Sequence, residues 1–198
     1  MQSKFKKSIQ IISTALASGL LATAVQAADC EEYYYGAEWV EAVKYCSSSH
    51  LRSSNVAGYG PGNAETFDEA NRNLAWCEGA KGNGINEWLQ LSVINGGAFV
   101  KTLTIANGYQ KSKTAFYANA RAKKIRVEMD SGLRLTTTLK DRFGDQVLTL
   151  PEWQDITKVR VTILSVYPGE KYHDTCLTTL GLNFSERADY EWEQMQAD

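Results

Sequence analysis

The stretch "YPGEKYHDTC", residues 167–176, places His173 and Asp174 just ahead of Cys176. Thiol, imidazole and carboxylate are the parts of a nucleophilic site, in which the base must lie within hydrogen-bond reach of the thiol. The cysteine count argues against that use. Lys4, Lys6 and Lys7 precede an apolar run from Ile9 to Val25 that closes in "AVQA", with small residues Val25 and Ala27 where a signal peptidase cuts. Residues 1–27 therefore read as an export signal, and polar residues within the run argue against a membrane anchor. All four cysteines, Cys30, Cys46, Cys77 and Cys176, follow it. An even number in an oxidising compartment points to two disulfides, and a catalytic Cys176 would leave an odd thiol among the other three. In an extended segment His173 and Cys176 also point to opposite faces. Cys176 is expected to be structural, and no catalytic residue is assigned.

Three connectivities are possible for four cysteines. Cys30–Cys46 with Cys77–Cys176 is preferred, because the first closes a short N-terminal loop and the second ties distant strands together. Cys30 follows Asp29 rather than a small residue, which argues against lipidation. No Cys-x-x-Cys or His-x-x-x-His spacing suggests zinc, and His50 in "SSSH" has no partner spacing. Glu78 and Glu87 lie nine apart in a Gly-rich stretch. Two carboxylates can hydrolyse a glycosidic bond when their separation is right, but sequence spacing does not set that separation, so a hydrolase ranks below a binding role. No cofactor and no metal are expected.

Removing residues 1–27 takes three lysines from 21 basic residues and leaves 18 against 23 acidic, a net charge near −5. Such a balance disfavours nucleic acid as a partner. The remaining length suits one domain with a proper core.

These groups must be held by strands, because from Glu87 onward the dominant period is two. In "KIRVEM" Ile125, Val127 and Met129 share one face, and in "LRLTTTL" Leu133, Leu135 and Leu139 oppose Arg134, Thr136 and Thr138. The same alternation runs through "EWLQLSV", "KTLTIANGY", "QVLTL" and "KVRVTI", and "CLTTLGLNF" supplies a last strand. Half-buried strands have this pattern, and seven short ones make a β-sandwich the favoured solution. Turn residues fall between them, as in "INGG", "DSG", "FGD" and "YPG". "EEYYYGAEWVEAVKY" and "SERADYEWEQMQ" read as short amphipathic helices outside the sandwich. The organisation expected is a signal at 1–27, a disulfide-closed segment at 28–46, the sandwich at 47–184 and an acidic C-terminal segment at 185–198.

Four stretches in order, "SSHLRSSNVAGYGPGNAETFD", "AWCEGAKGNGINEWLQL", "IANGYQKSKTAFYANARAKKIRV" and "VYPGEKYHDTCLTTLGL", resemble the discoidin or coagulation-factor type C superfamily. They are most similar to its bacterial NADase-type glycan-binding, or translocation, domain. The resemblance covers roughly residues 47–184 and implies an all-β, discoidin-like jelly-roll sandwich of the galactose-binding-domain-like type. It also implies a carbohydrate-binding module rather than an enzyme, since NAD glycohydrolase activity belongs to a separate domain for which this chain has no room. Many such domains hold calcium in an "Asp-Gly-Asn-x-x-Thr-x-Trp" loop with a glutamate in the last strand. Here the loop reads "DEANRNLAW" and the acid is replaced within "TTL". Asp68, Asn71 and Asn73 supply fewer oxygens than the six to eight calcium takes.

In discoidin-like sandwiches ligands meet loops at one end, and the matching loop here is "NGYQKSKTAFYANAR". Tyr109 and Tyr117 can cover a sugar ring, Asn119 and Arg121 can donate to hydroxyls, and Trp76, Glu78, Tyr172 and Asp174 can approach the same end. The alternative uses are also open. Arg121, Asn119 and Asp174, with Glu78, can form a buried network that fixes the loops, and Trp76 suits a core. Lys111 and Lys113 read as solvated charges. The expectation is a secreted or periplasmic module that binds a glycan or another surface ligand, with no membrane span after cleavage. The rival is a periplasmic protein-binding module such as an inhibitor, immunity protein or envelope adaptor.

Overall fold

The computed structural model describes residues 28–36, 40–53, 58–65 and 72–197; the expected export signal, 1–27, lies outside them. Ten strands run in the order β1 (Asp29–Tyr34), β2 (Ala42–Ser47), β3 (Trp76–Cys77), β4 (Trp88–Ile94), β5 (Ala98–Asn107), β6 (Ala120–Met129), β7 (Arg134–Thr138), β8 (Gln146–Ile156), β9 (Lys158–Tyr167) and β10 (Thr175–Leu182). Helix α1 (Lys113–Ala118) interrupts the link from β5 to β6, and helix α2 (Glu186–Ala197) follows β10. All seven strands expected from the period-two runs are present.

Hydrogen bonding follows the path β1-β2-β4-β9-β6-β10-β5-β8, with β7 on β6 and β3 on β10. The link between β6 and β10 is parallel and only two positions long, Thr175 opposite Ala120 and Cys176 opposite Arg121. At that corner the path folds over into two layers. One holds β1, β2, β4, β9, β6 and β7, and the other holds β3, β10, β5 and β8. Their inner faces share one core, with Tyr45, Leu91, Val127 and Val161 from the first layer and Leu103, Ile105, Leu150 and Leu180 from the second. Aliphatic and aromatic residues alternate inward as in other sandwiches. Tyr45 Oη donates across the layers to the Leu180 carbonyl at 2.8 Å, which satisfies its buried hydroxyl.

The N-terminal segment is a correction to the sequence reading. It forms an antiparallel pair, β1 with β2, in register from Asp29 opposite Ser47 to Tyr34 opposite Ala42. Gly36 in the left-handed region, φ 62°, reverses the chain where a helix would have continued. Val43 and Tyr45 then point into the core while Tyr33 meets the Tyr45 ring edge-on at 6.5 Å. β2 also pairs with β4 over six positions, so core burial overrides a weak helical pattern.

The C-terminal segment is helical, as expected. Phe99 on β5, Trp153 on β8 and Tyr190 on α2 cluster with ring centroids 5.0–5.1 Å apart. β5 has an irregularity between Val100 and Thr102. Glu186 accepts the backbone N–H groups of Lys101 and Thr102, at 2.5 and 3.1 Å, together with the Thr102 hydroxyl. Donors released by the irregularity are thus paired by the first turn of α2.

Both preferred disulfides form, Cys30–Cys46 between neighbours on β1 and β2 and Cys77–Cys176 between β3 and β10. Their sequence separations are 16 and 99. Replacing Cys77 and Cys176 together by serine is expected to cost about 4–5 kcal/mol, against about 3 kcal/mol for the Cys30 and Cys46 pair, because the longer loop loses more entropy when closed. Urea denaturation of the two double variants checks the order; equal losses would show that loop length does not set the effect.

Candidate functional site

At one end of the sandwich β5 finishes and β6 and β10 begin. Asn107 holds this end together by imitating a strand: its Nδ2 donates to the Ala122 carbonyl at 2.7 Å, and its Oδ1 accepts from Ala122 N at 2.9 Å. Gly108 follows with φ 79° and donates its N–H to the Cys176 carbonyl at 2.9 Å. A Cβ there would lie 2.6 Å from Arg121 Cγ and 2.8 Å from the Phe116 ring, so glycine is required both for its backbone angle and for its size. Helix α1 comes next. Ser112 Oγ accepts from Ala115 N at 3.0 Å as its N-cap, and Phe116 is its buried residue. The helix differs from the loop expected over this stretch; Ser112 as an N-cap ahead of Phe116 is its legible start signal.

Arg121 is 4% exposed and its donors are engaged within the protein. Nε and Nη2 each bond Asp141 at 2.9 Å, while Nη1 donates to the carbonyls of Asn119 at 2.8 Å and Pro168 at 3.1 Å. Its guanidinium lies 5.1 Å from the Phe116 ring and 5.6 Å from the Tyr117 ring. The structural use weighed for Arg121 is the one observed, with a different acid: Asp141, not Asp174 or Glu78. Asn119 also turns inward, its Nδ2 donating to the Ala115 carbonyl at 2.8 Å.

A cleft of about 580 Å³ opens beside α1. Of the eight residues singled out by sequence it gathers Tyr109, Asn119, Tyr172 and Asp174. It adds Tyr59, Ser112, Thr114 and Lys171, which carry no assignment from the sequence, Lys111, expected there as a solvated charge, and Cys77 of the disulfide. Tyr172 is 44% exposed, and Lys171 Nζ stands 5.0 Å from its ring centroid. Tyr109 is held more firmly, with Oη donating to the Asn73 carbonyl at 2.8 Å and its ring edge-on to Tyr59 at 6.2 Å. Burial, then the neighbouring Tyr59, raises the Tyr109 hydroxyl above its ordinary value. The side chain of Asp174 has no partner among the described residues and is half-buried.

The other four candidates lie apart from the cleft lining. Trp76 is fully buried in the core, its Nε1 donating to the Ser49 carbonyl at 2.9 Å. Tyr117 is 42% exposed but packs edge-on against Phe116 outside the cleft. Arg121 is engaged as described. Glu78 is buried without a cation among the described residues; its two oxygens accept from Thr175 N at 3.1 Å and Ala80 N at 2.8 Å. Burial pushes its carboxyl up to about 7, the two backbone bonds oppose that, and Asp174 and Glu87 add to it. Gly84, at φ 66°, covers it closely enough that a Cβ would sit 2.4 Å from Glu78 Cγ.

The nucleophilic arrangement of His173, Asp174 and Cys176 does not form, because Cys176 is disulfide-bonded. Glu87 is used by the Ser48 hydroxyl at 2.7 Å and by the Ser49 hydroxyl. Of the residues considered for calcium, Asp68 and Asn71 lie outside the described residues, and the Asn73 carbonyl accepts from Tyr109. Among the described residues no three of His, Cys, Asp and Glu converge as a metal site.

Two facing layers, a short parallel corner and a loop-built cleft at one end define a discoidin-like jelly-roll sandwich. The chain belongs to the family described as the NAD glycohydrolase translocation F5/8 type C domain, which it matches over residues 33–183. No curated protein matches it in sequence. Among solved structures it is similar to the family 32 CBM of NanJ from C. perfringens in complex with galactose, at 14% identity and TM-score 0.51, over 71% of this chain and 92% of that one. A second similar structure is CpGH89CBM32-5 from Clostridium perfringens, in complex with GalNAc-beta-1,3-galactose, at 13% identity and TM-score 0.52, over 70% of this chain and 92% of that one. The arabinofuranosyltransferase AftD from Mycobacteria is similar at 16% identity and TM-score 0.55, over 82% of this chain; this chain spans 12% of that one. These likenesses establish the fold.

Two outcomes follow from the buried charges. Arg121→Ala strands Asp141 and two carbonyls, and is expected to cost about 3 kcal/mol, the lower end for one member of a buried pair because Asp141 keeps water contact. Urea titration reads this, and a loss below about 0.5 kcal/mol, the usual range for a surface substitution, would show that the network does not hold the end. For Glu78 the folded value lies above the ordinary 4.5, so its contribution is fully present below about 4.5 and is lost as pH rises through about 7. Glu78→Gln removes this dependence. Relative to the variant, the parent is expected to lose on the order of 2 kcal/mol between pH 5 and pH 8, measured by denaturation at each pH; parallel curves would contradict it.

Proposed function

We propose that the chain is an exported, non-catalytic module that binds a glycan through the cleft beside α1. The observation that carries this is the side-chain set there: an exposed aromatic face at Tyr172, an unpartnered carboxylate at Asp174 and polar rim residues Lys171, Lys111 and Ser112. A sugar ring offers an apolar face for an aromatic and hydroxyls for a carboxylate and ammonium groups, and concave sites with a few convergent polar groups suit it. The family-level fold supports the reading, and so do two similar structures determined with galactose or a galactose-containing disaccharide. Two disulfides are in keeping with an oxidising, exported setting. Engagement of Cys176 in a disulfide supports binding without catalysis.

A second reading, recognition of a protein, is favoured by one observation. Trp192 and Met195 on α2 are 63% and 67% exposed, on a helix otherwise docked by Tyr190 and Glu186.

Screening the full chain on a glycan array, followed by calorimetry with the best ligand, tests the first reading. Tyr172→Ala and Asp174→Ala are each expected to weaken binding tenfold or more, the loss of about 1.4 kcal/mol or greater, with melting temperature unchanged. Binding that survives both substitutions would move the site away from this cleft.

A further inference from the structure

The outer face of the first layer has a charge pattern unlike that of the chain as a whole. The protein is net acidic, yet Lys44, Lys124, Arg126, Arg134, Lys158 and Arg160 all project from this one face of β2, β6, β7 and β9, since their neighbours Val43, Tyr45, Ile125, Val127, Val159 and Val161 fill the core. Three acids share the face, and two are committed. Glu128 is bonded to Arg126 Nε at 3.0 Å and to Arg134 Nη2. Asp130 accepts from the Thr157 hydroxyl at 2.5 Å and from Lys158 N at 3.1 Å. The third, Glu32, stands opposite Lys44 across β1 and β2. Lys124, Lys158 and Arg160 have no carboxylate partner among the described residues.

Arg160 is also positioned in advance. Its guanidinium carbon lies 4.0 Å from the Trp88 ring centroid, a cation–π stack. Its Nε and Nη2 both bond Gln90 Oε1, at 3.1 and 2.8 Å. The plane is fixed and Nη1 is left with no protein acceptor. Gln90 lies opposite Arg160, and Arg160 opposite Glu128, so β4, β9 and β6 form the floor beneath it. A cleft of about 320 Å³ is bounded there by Gln90, Lys158 and Arg160 with Glu128 and Asp130. A guanidinium held flat, with an ammonium two residues along the same strand, matches one carboxylate or sulfate group.

We infer that this sheet face binds an anionic polysaccharide, with an acidic group of one sugar seated between Arg160 and Lys158 and the polymer extending along β6 toward Lys124, four residues from Glu128. A membrane surface fits less well, because apolar side chains must enter the interface, and the exposed large hydrophobic residue on this face is Tyr34 at its β1 edge. Single-stranded nucleic acid needs open aromatic faces for its bases, and Arg160 covers that of Trp88. The site is separate from the end cleft and does not depend on it.

The test uses the full chain with polygalacturonate, dextran sulfate and neutral dextran as probes, at low and at moderate salt. Both acidic polymers are expected to bind, neutral dextran is not, and affinity should fall at least tenfold with added salt. Lys158→Glu, at an exposed position, and Arg160→Gln should each weaken binding tenfold or more while leaving the binding of any neutral sugar at the end cleft unchanged. Arg160→Lys, which keeps the charge without the flat fork, should fall between. Equal retention of neutral and acidic dextrans overturns the inference, as does unchanged binding by Lys158→Glu. Loss on Lys171→Ala instead would assign the polymer to the end cleft. Equally tight, Lys158-dependent binding to anionic vesicles or to DNA would overturn the assignment to a polysaccharide.

Discussion

The bond between Cys77 and Cys176 is the reference point for the ligand end of this protein. β3 is only two residues long and has too few ladder bonds to hold its own position. Joined covalently to β10, it fixes several loops at once. Cys77 N donates to the Tyr59 carbonyl at 3.2 Å, and the Cys77 carbonyl accepts from Leu51 N at 2.8 Å. On the other side the Cys176 carbonyl accepts from Gly108, and the neighbouring Thr175 N donates to Glu78. The loops before β3, after β5 and before β10 therefore share one anchor, and Tyr59, Tyr109 and Asp174 converge on one cleft because of it.

Arg121 does from the inside what the disulfide does from the floor. Its fork bonds Asp141, and its remaining nitrogen reaches carbonyls on either side of the cleft wall. Gly169 lets those walls close up: a Cβ there would be 2.3 Å from the Tyr172 carbonyl and 2.7 Å from the Ala118 carbonyl. Both Lys171 N and Tyr172 N donate to Ala118 O. Tyr172 is thus exposed on a backbone anchored by these two bonds, which reduces the ordering cost of binding.

The strands β4, β6, β8 and β9 were legible because each has a wetter and a drier face, and alternation records that directly; β10 is buried along nearly its whole length and was legible from its apolar residues after the turn at "YPG". β1 and β2 were not, since β2 is buried along most of its length and β1 is acidic and exposed along most of its own; neither alternates cleanly. β3 was too short to leave a period. At the site, the residue types were readable and their partners were not. Asp141 pairs with Arg121 from a loop 20 residues away, a relation that no local spacing encodes. Trp76 and Glu78, adjacent to a cysteine and close to glycines, resembled ligand residues, whereas burial put them behind the wall. Lys171 and Lys111 line the cleft beside Tyr172 and Tyr109, their near neighbours in sequence, whereas Tyr59 comes from a loop 50 residues before Tyr109 and no local spacing announces it.

The clamp between Glu186 and β5 engages the main chain at Lys101 and Thr102, with the Thr102 hydroxyl as an addition. A carboxylate that reads peptide N–H groups is indifferent to the side chain at Lys101, and every amino acid except proline presents the same donor. Position 101 is therefore open to drift, while Glu186, with only Asp and Gln near it in shape and chemistry, is not. Descendants of this sequence can vary the side chain at position 101, though not Phe99 two residues before it, and keep the same helix in the same place.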